Sequence, residues 1–331
     1  MKVIIDSAIP YIRGIVEPYA DVAYMAGAEI TNDAVRYADA LIIRTRTKVD
    51  ATLLENSNVK FVATATIGSD HIDLEYCKRH GIKVCSAPGC NARGVLQWVA
   101  ATLRHLVIKD CCTPQDYTLG VVGVGNVGSL VAQYARHWGF CVMECDPPRQ
   151  EREGGDFHTI EEIAKECDII TLHTPLDTTT RHLISSTLIE MMRPKATIIN
   201  ASRGGVVDNR AVLHSDHRYA FDVWEGEPDL DPDVLAGAEI ATPHIAGYSV
   251  QGKANATAMC IHALAKFFNL PLMEWYPDGI TRPTPRLISW QELCQTIPSH
   301  YDISAESNEL KTLASEFEAL RNNYAYREEY F

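Results

Sequence analysis

Three segments of the chain carry side chains suited to moving a proton beside an anion. They are Ile198-Ile-Asn-Ala-Ser-Arg-Gly-Gly-Val-Val-Asp208, Phe221-Asp-Val-Trp-Glu-Gly-Glu-Pro228 and Ala241-Thr-Pro-His-Ile-Ala-Gly-Tyr248. Each sets an Arg, a Glu or a His beside a glycine or proline turn. Taking hydride from a carbon that bears a hydroxyl requires a base for the hydroxyl proton, and His titrates in the right range. A carboxylate bonded to that His fixes its tautomer and favours the imidazolium, while an Arg clamps a substrate carboxylate through paired N–H donors. Singly, each has a plainer reading: His244 as a structural histidine, Glu227 as a turn carboxylate, Arg203 as a capping or salt-bridging residue.

A fourth segment changes that balance. Leu119-Gly-Val-Val-Gly-Val-Gly-Asn-Val-Gly128 places Gly123, Gly125 and Gly128 in the spacing G-x-G-x-x-G, after an apolar strand and before a helical pattern. The first glycine allows the tight turn and the second the approach of a pyrophosphate. The third allows close helix–strand packing, with Asn126 in the turn and Val127 opening a helical pattern to His137 whose N-terminus faces the phosphates. A second apolar strand, Phe140 to Glu144, leads to Asp146, where an acid accepts from the adenosine ribose hydroxyls. That carboxylate repels a 2′-phosphate, so NAD is expected over NADP, although Arg149 nearby could accommodate such a group.

The elements that must position these residues are short apolar runs alternating with helical patterns, the signature of parallel α/β sheets. Val3 to Ile5, Leu41 to Ile43 and Phe61 to Ala63 read as strands of a first series. Strands near Val121, Val142, Ile169, Ile198, Ala220 and Ile240 form a second. A long helix from about Ala92 to Lys109 joins them. From about Pro285 the character changes, with seven acidic residues after His300 and a helical pattern through Leu310, Leu313, Phe317 and Leu320. The expected fold is α/β: two doubly wound parallel-sheet, Rossmann-like domains and a small C-terminal segment, read as three units. The formal net charge of −13 argues against a nucleic-acid partner. No run is apolar enough to span a membrane, and the N-terminus has no signal-peptide pattern. The ten cysteines show neither C-x-x-C nor zinc spacing, so no metal site is expected and a reducing cytoplasm is.

In this order, the glycine motif and the three segments resemble the D-isomer-specific 2-hydroxyacid dehydrogenases, over about Leu41 to Gly252. That resemblance implies that Arg203 binds substrate, Glu227 supports the histidine and His244 is the acid/base. Formate dehydrogenases of the superfamily carry Gln at the position of Glu227, which sets that branch aside. One branch of the family is resembled more closely, in Phe61 to His71, Ala87 to Ala92, Cys145 to Arg149, His244 to Tyr248 with Gly252-Lys-Ala, and Phe317 to Tyr330. Its members act in vitamin B6 biosynthesis on a four-carbon 2-hydroxy acid bearing a terminal phosphate. The likeness implies substrate contacts at Thr45, Thr66 and Tyr248, and NAD contacts at Asp146, Thr174, Ala201, Ser202, Arg203, Asp222 and Gly247. It also implies a substrate domain of residues 1–92 and 253–284 that closes over a cleft, an NAD-binding domain of 93–252, and a homodimer joined through 285–331. Thr45 stands where Ser is common in that branch and keeps the hydroxyl.

Two alternatives stay open at this point. Other 2-hydroxyacid dehydrogenases, such as those acting on 3-phosphoglycerate, share the same triad, and dinucleotide-sensing corepressors share the fold. For the phosphate, the expected donors are Arg44 and Arg46, provided the strand from Leu41 continues far enough to align them. Arg327, reaching in from a partner subunit, is a further expected donor.

Overall fold

The computed structural model describes residues 1–282 and 284–331, and its chain divides into two compact units. Unit 1 comprises Met1–Asn91 with Val250–Arg282. Its strands are β1 (Lys2–Asp6), β2 (Asp21–Met25), β3 (Ala40–Ile43), β4 (Phe61–Thr64) and β5 (Lys83–Cys85). They form one parallel sheet in the order β2-β1-β3-β4-β5. Both faces are covered, so the runs are apolar at successive positions rather than alternating. Val3, Ile5, Ile42 and Phe61 pack with Ile261 and Leu264 of the helix Val250–Phe268. Ile4, Leu41, Ile43 and Val62 pack on the opposite side with Val35, Leu53 and Cys77. β2 has no counterpart among the apolar runs of the sequence, because it is the sheet's edge and its side chains are only partly buried.

Unit 2 comprises Ala92–Ser249 and the C-terminal stretch to Phe331. Its strands are β6 (Thr118–Val122), β7 (Cys141–Cys145), β8 (Ile169–Leu172), β9 (Thr197–Asn200), β10 (Arg218–Phe221) and β11 (Ile240–Ala241). All pair in parallel in the order β11-β10-β9-β8-β6-β7. The chain runs outward from β6 to β7, then restarts on the other side of β6 with β8. Between β6 and β8 lies the switch point at which such sheets bind ligands, beyond the carboxyl ends of the strands.

The C-terminal stretch is not a third unit. Ile288, Leu293, Ile297 and Phe331 belong to the same apolar cluster as Trp98, Leu103, Val131 and Trp138. Leu310 and Phe317 share another with Phe221, Trp224 and Val234. The helical pattern expected through Leu310 to Leu320 is broken. A helix Ile303–Thr312 ends at Leu313, a 3₁₀ turn Ala314–Glu316 comes next, and a short helix Phe317–Asn322 resumes. Leu313 consequently faces outward, 42% exposed. The expected return segment 253–284 includes residue 283, which lies outside the described residues. Among the described residues no helix is long and apolar enough to cross a membrane.

Phe317 is 1% exposed. Phe317→Ala therefore lowers unfolding free energy by about 3–5 kcal/mol, as truncation of a buried aromatic does. Thermal or denaturant unfolding checks this, and an unchanged midpoint would place the C-terminal stretch outside the core of unit 2.

Candidate active site

The glycine turn leaves β6 at Gly123, whose backbone is left-handed at φ 85°. A Cβ on Gly128 would run into the Gly123 carbonyl oxygen, so the helix Asn126–Trp138 approaches the strand only because residue 128 has no side chain. In front of Gly125 a Cβ would meet nothing among the described residues within 4 Å. Asp146, at the end of β7, accepts the Val124 N–H at 2.7 Å and the Arg149 N–H at 2.9 Å. Arg149 is tied down, donating to the Val124 carbonyl at 2.8 Å and to Glu153 at 2.9 Å. After β8, the buried hydroxyl oxygen of Thr174 has no hydrogen-bond partner among the described residues. Open space before a helix N-terminus, a carboxylate at the end of the neighbouring strand on one side and an orphaned hydroxyl after the neighbouring strand on the other fit a dinucleotide.

The loop after β9 holds Arg203. Asn200 organises it, accepting from the Ser202 N–H at 3.0 Å and the Ser202 hydroxyl at 2.8 Å while donating to the Arg203 carbonyl at 2.9 Å. The loop after β10 holds Glu227, and the loop after β11 holds His244. These two meet. His244 Nδ1 lies 2.8 Å from Glu227 Oε2, and Glu227 Oε1 accepts the Trp224 N–H at 2.8 Å. Side-chain exposures of 29% for His244 and 19% for Glu227 leave the pair accessible yet partly desolvated. Burial would raise the Glu227 carboxyl, but His244, the Trp224 amide and the nearby Arg321 outweigh it and hold it below its ordinary range. His173, near Thr174, differs: desolvation pushes it down to about 3, so it stays neutral.

Asp222 sets the position of His244. It is 1% exposed, and its Oδ1 accepts from the Thr242 hydroxyl at 2.6 Å and the Ile245 N–H at 2.8 Å. Its Oδ2 accepts the Ala246 N–H at 2.9 Å, and its backbone carbonyl accepts the His244 N–H at 2.8 Å. His244 itself is left-handed, at φ 58°, a conformation rare for residues with a side chain. Burial pushes the Asp222 carboxyl above its ordinary range, against His244, the Thr242 hydroxyl and the two amides, which favour the ionised form. Ala201, Ser202 and Gly247 lie in these same loops. Tyr248 is ringed by Tyr324 and Tyr326, with centroids 6.2 and 6.0 Å away.

Unit 1 presents its expected residues at the carboxyl ends of two neighbouring strands. β3 stops at Ile43, so Arg44, Thr45 and Arg46 sit in a turn closed by Thr47 N–H to the Arg44 carbonyl at 3.2 Å. The strand continuation that would align Arg44 with Arg46 is therefore absent. Arg44 Nε bonds the buried Asp6 at 3.2 Å. Beyond β4, Thr66 shares a hydroxyl–hydroxyl contact of 2.7 Å with Thr64 and donates to the Gly68 carbonyl at 3.0 Å.

Arg327 contradicts its expected role. It is 7% exposed, and its guanidinium donates to the carbonyls of Gly94, Ile245 and Ala246 within its own unit. Buried and engaged there, it does not reach out to a substrate phosphate in another subunit's site. Sequence reasoning also missed Arg321, whose charge lies near Glu227, Asp222 and Tyr248, and Thr242, which links Asp222 to the Trp98 indole N–H at 3.0 Å. The only local signal for Thr242 was its place in the histidine segment.

Residues 101–246 match the model of the D-isomer specific 2-hydroxyacid dehydrogenase NAD binding domain. A protein of Bacteroides thetaiotaomicron named erythronate-4-phosphate dehydrogenase is 44% identical over 342 aligned residues, covering 99% of this chain and 97% of that one. Among solved structures, NAD⁺-bound 3-phosphoglycerate dehydrogenase of Entamoeba histolytica superposes with a TM-score of 0.66 at 25% identity, over 85% of this chain and 99% of that one. D-Lactate dehydrogenase of Aquifex aeolicus, solved with NAD and lactic acid, gives a TM-score of 0.68 at 22% identity, over 85% and 100% of the two chains. That last likeness speaks to the fold alone.

Because the Asp222 side chain meets only donors among the described residues, Asp222→Asn must turn an amide N–H₂ toward the Ala246 N–H or toward the Ile245 N–H and Thr242 hydroxyl. The mismatch costs about 1–3 kcal/mol, the penalty for an unsatisfied buried polar group. Denaturant unfolding of the variant measures it, and a stability equal to the wild type would remove the clamp.

Proposed function

The chain belongs to the D-isomer-specific 2-hydroxyacid dehydrogenases, and we infer that it oxidises 4-phospho-D-erythronate at C2 with NAD. The products are the 2-oxo acid, 3-hydroxy-2-oxo-4-phosphobutanoate, and NADH, in a step of vitamin B6 biosynthesis. The reaction type rests on the 2.8 Å contact of His244 with Glu227 at the carboxyl edge of a dinucleotide-binding sheet. The substrate rests on the near-full-length likeness to a named erythronate-4-phosphate dehydrogenase.

Bound NAD supplies the hydride acceptor. His244, with Nδ1 engaged by Glu227, offers Nε2 to take the C2 hydroxyl proton as hydride leaves the same carbon. Glu227 offsets the positive charge that then forms on the imidazole. Arg203 holds the substrate carboxylate and stabilises the forming carbonyl oxygen. In this reading Gly123 to Gly128 cradle the pyrophosphate and Asp146 binds ribose hydroxyls. Thr174, Ala201, Ser202, Asp222 and Gly247 complete the cofactor contacts. Thr45, Thr66 and Tyr248 bind substrate hydroxyl or carboxylate oxygens, and Arg44 supplies positive charge for the terminal phosphate. A homodimer joined through the C-terminal segment, acting in the cytoplasm, belongs to the same proposal.

The test is NADH formation with a panel of 2-hydroxy acids. 4-Phospho-D-erythronate is expected to exceed unphosphorylated erythronate and lactate in kcat/KM by roughly 100-fold or more, since a site built for a polar group rejects analogues lacking it. Equal use of erythronate with and without phosphate would contradict the substrate assignment. Replacing His244 with Ala is expected to cut turnover by about 10²- to 10⁴-fold, the usual worth of general acid–base assistance. Near-normal turnover in a folded variant would contradict the mechanism.

A further inference from the structure

We propose that Arg327 is a positioning residue for proton transfer, locking the backbone just after His244 from the side opposite Asp222. The inference rests on the acid/base reading of His244. The peptide unit joining Ile245 and Ala246 is gripped at both ends. Its N–H goes to Asp222 at 2.9 Å, and its carbonyl accepts from Arg327 Nη1 at 3.1 Å. Arg327 Nη2 also donates to the Ala246 carbonyl and, at 2.9 Å, to the Gly94 carbonyl on the helix Ala92–Lys109. One planar guanidinium thus ties the histidine loop to a core helix. A lysine cannot make that fork of bonds.

The C-terminal stretch is built to hold that guanidinium in place. Arg327 pairs by a backbone bridge with Ser249, whose hydroxyl donates to Glu329 at 2.7 Å. The guanidinium lies 4.4 Å from the Tyr301 ring centroid and donates to the Tyr324 hydroxyl at 3.1 Å. Both tyrosine hydroxyls donate to Glu306, at 2.7 and 2.6 Å, which supplies the counter-charge. Burying a guanidinium is unfavourable unless its donors are used, and here most of them are used on the backbone of the loop beyond His244 and on the helix beside it. His244 faces Glu227 and the buried Asp222, with Arg321 beside both carboxylates. Loosening the loop therefore takes the imidazole away from its stabilising anions.

The experiment compares Arg327→Lys, Tyr324→Phe and His244→Ala with the wild-type enzyme for kcat, KM for NAD, thermal midpoint and the pH dependence of oxidation. Arg327→Lys is expected to lose roughly 10- to 100-fold in kcat, the scale of a misplacement near 1 Å. The acid limb should move to lower pH because the imidazolium is less stabilised. Tyr324→Phe, which removes one acceptor from the guanidinium, is expected to move the limb in the same direction by less. A folded Arg327→Lys with wild-type kcat and limb overturns the proposal. If that variant does not fold, a folded Tyr324→Phe with a wild-type limb overturns it. Near-normal kcat in His244→Ala would instead overturn the acid/base reading, so the two failures are distinguishable.

Discussion

A carboxylate with almost no exposure, that of Asp222, gathers its donors from the loop after β11: its side chain takes the Thr242 hydroxyl and the amides of Ile245 and Ala246, and its backbone carbonyl takes the His244 amide. The arrangement of unit 2 at its carboxyl edge depends on this. β11 is only two residues long and pairs with a single neighbour, so regular ladder bonds alone fix little of the loop beyond it. A loop hung on such a strand would wander. Bonding to a residue at the end of β10, the adjacent strand, makes the sheet itself the reference for His244. The same loop crossing brings His244 to Glu227, which lies beyond β10 in the chain. Acid/base geometry is thus a property of two neighbouring strands.

This arrangement requires buried charge. Asp222 and Arg327 are buried inside unit 2 with Glu306 half-buried beside Arg327, and each buried charge would be strongly destabilising alone. Their bonds run largely to backbone groups and to hydroxyls of threonine and tyrosine. This explains why an otherwise acidic C-terminal stretch folds into the core. Ile288, Leu293 and Phe331 bring it against Trp98 and Trp138, while Leu310 and Phe317 bring it against Phe221. The stretch then delivers Arg327 to the loop.

The sequence was most informative where the determinants are local. The glycine turn needs three small residues within six positions: Gly123 turns with a left-handed backbone, a Cβ on Gly128 would meet the Gly123 carbonyl oxygen, and the space before Gly125 is left open for a ligand. Asp146 was legible as an acid at the end of the next apolar strand. Arg203, Glu227 and His244 stood out as chemically apt residues beside turns at strand ends. The parallel sheets were legible in continuous apolar runs buried on both faces. β2 was missed because an edge strand needs no such run. Arg327 was misassigned because its true partners, Gly94 and Ile245, are 233 and 82 residues away in the chain. An Arg in an acidic stretch reads as a solvent-facing donor until the fold shows what surrounds it.

Glu227 and His244 are held to act as one proton-accepting unit, and everything proposed for the chemistry turns on that pairing. The most direct measurement is the single-turnover rate of hydride transfer from 4-phospho-D-erythronate, recorded as NADH across pH in wild type and in Glu227→Gln. Glutamine keeps the shape but removes the charge that stabilises imidazolium, so the neutral base persists to lower pH. The predicted result is a lower plateau rate in the variant and an acid limb displaced to lower pH, with NAD affinity retained. A limb at the wild-type position with an unchanged plateau would contradict the pairing.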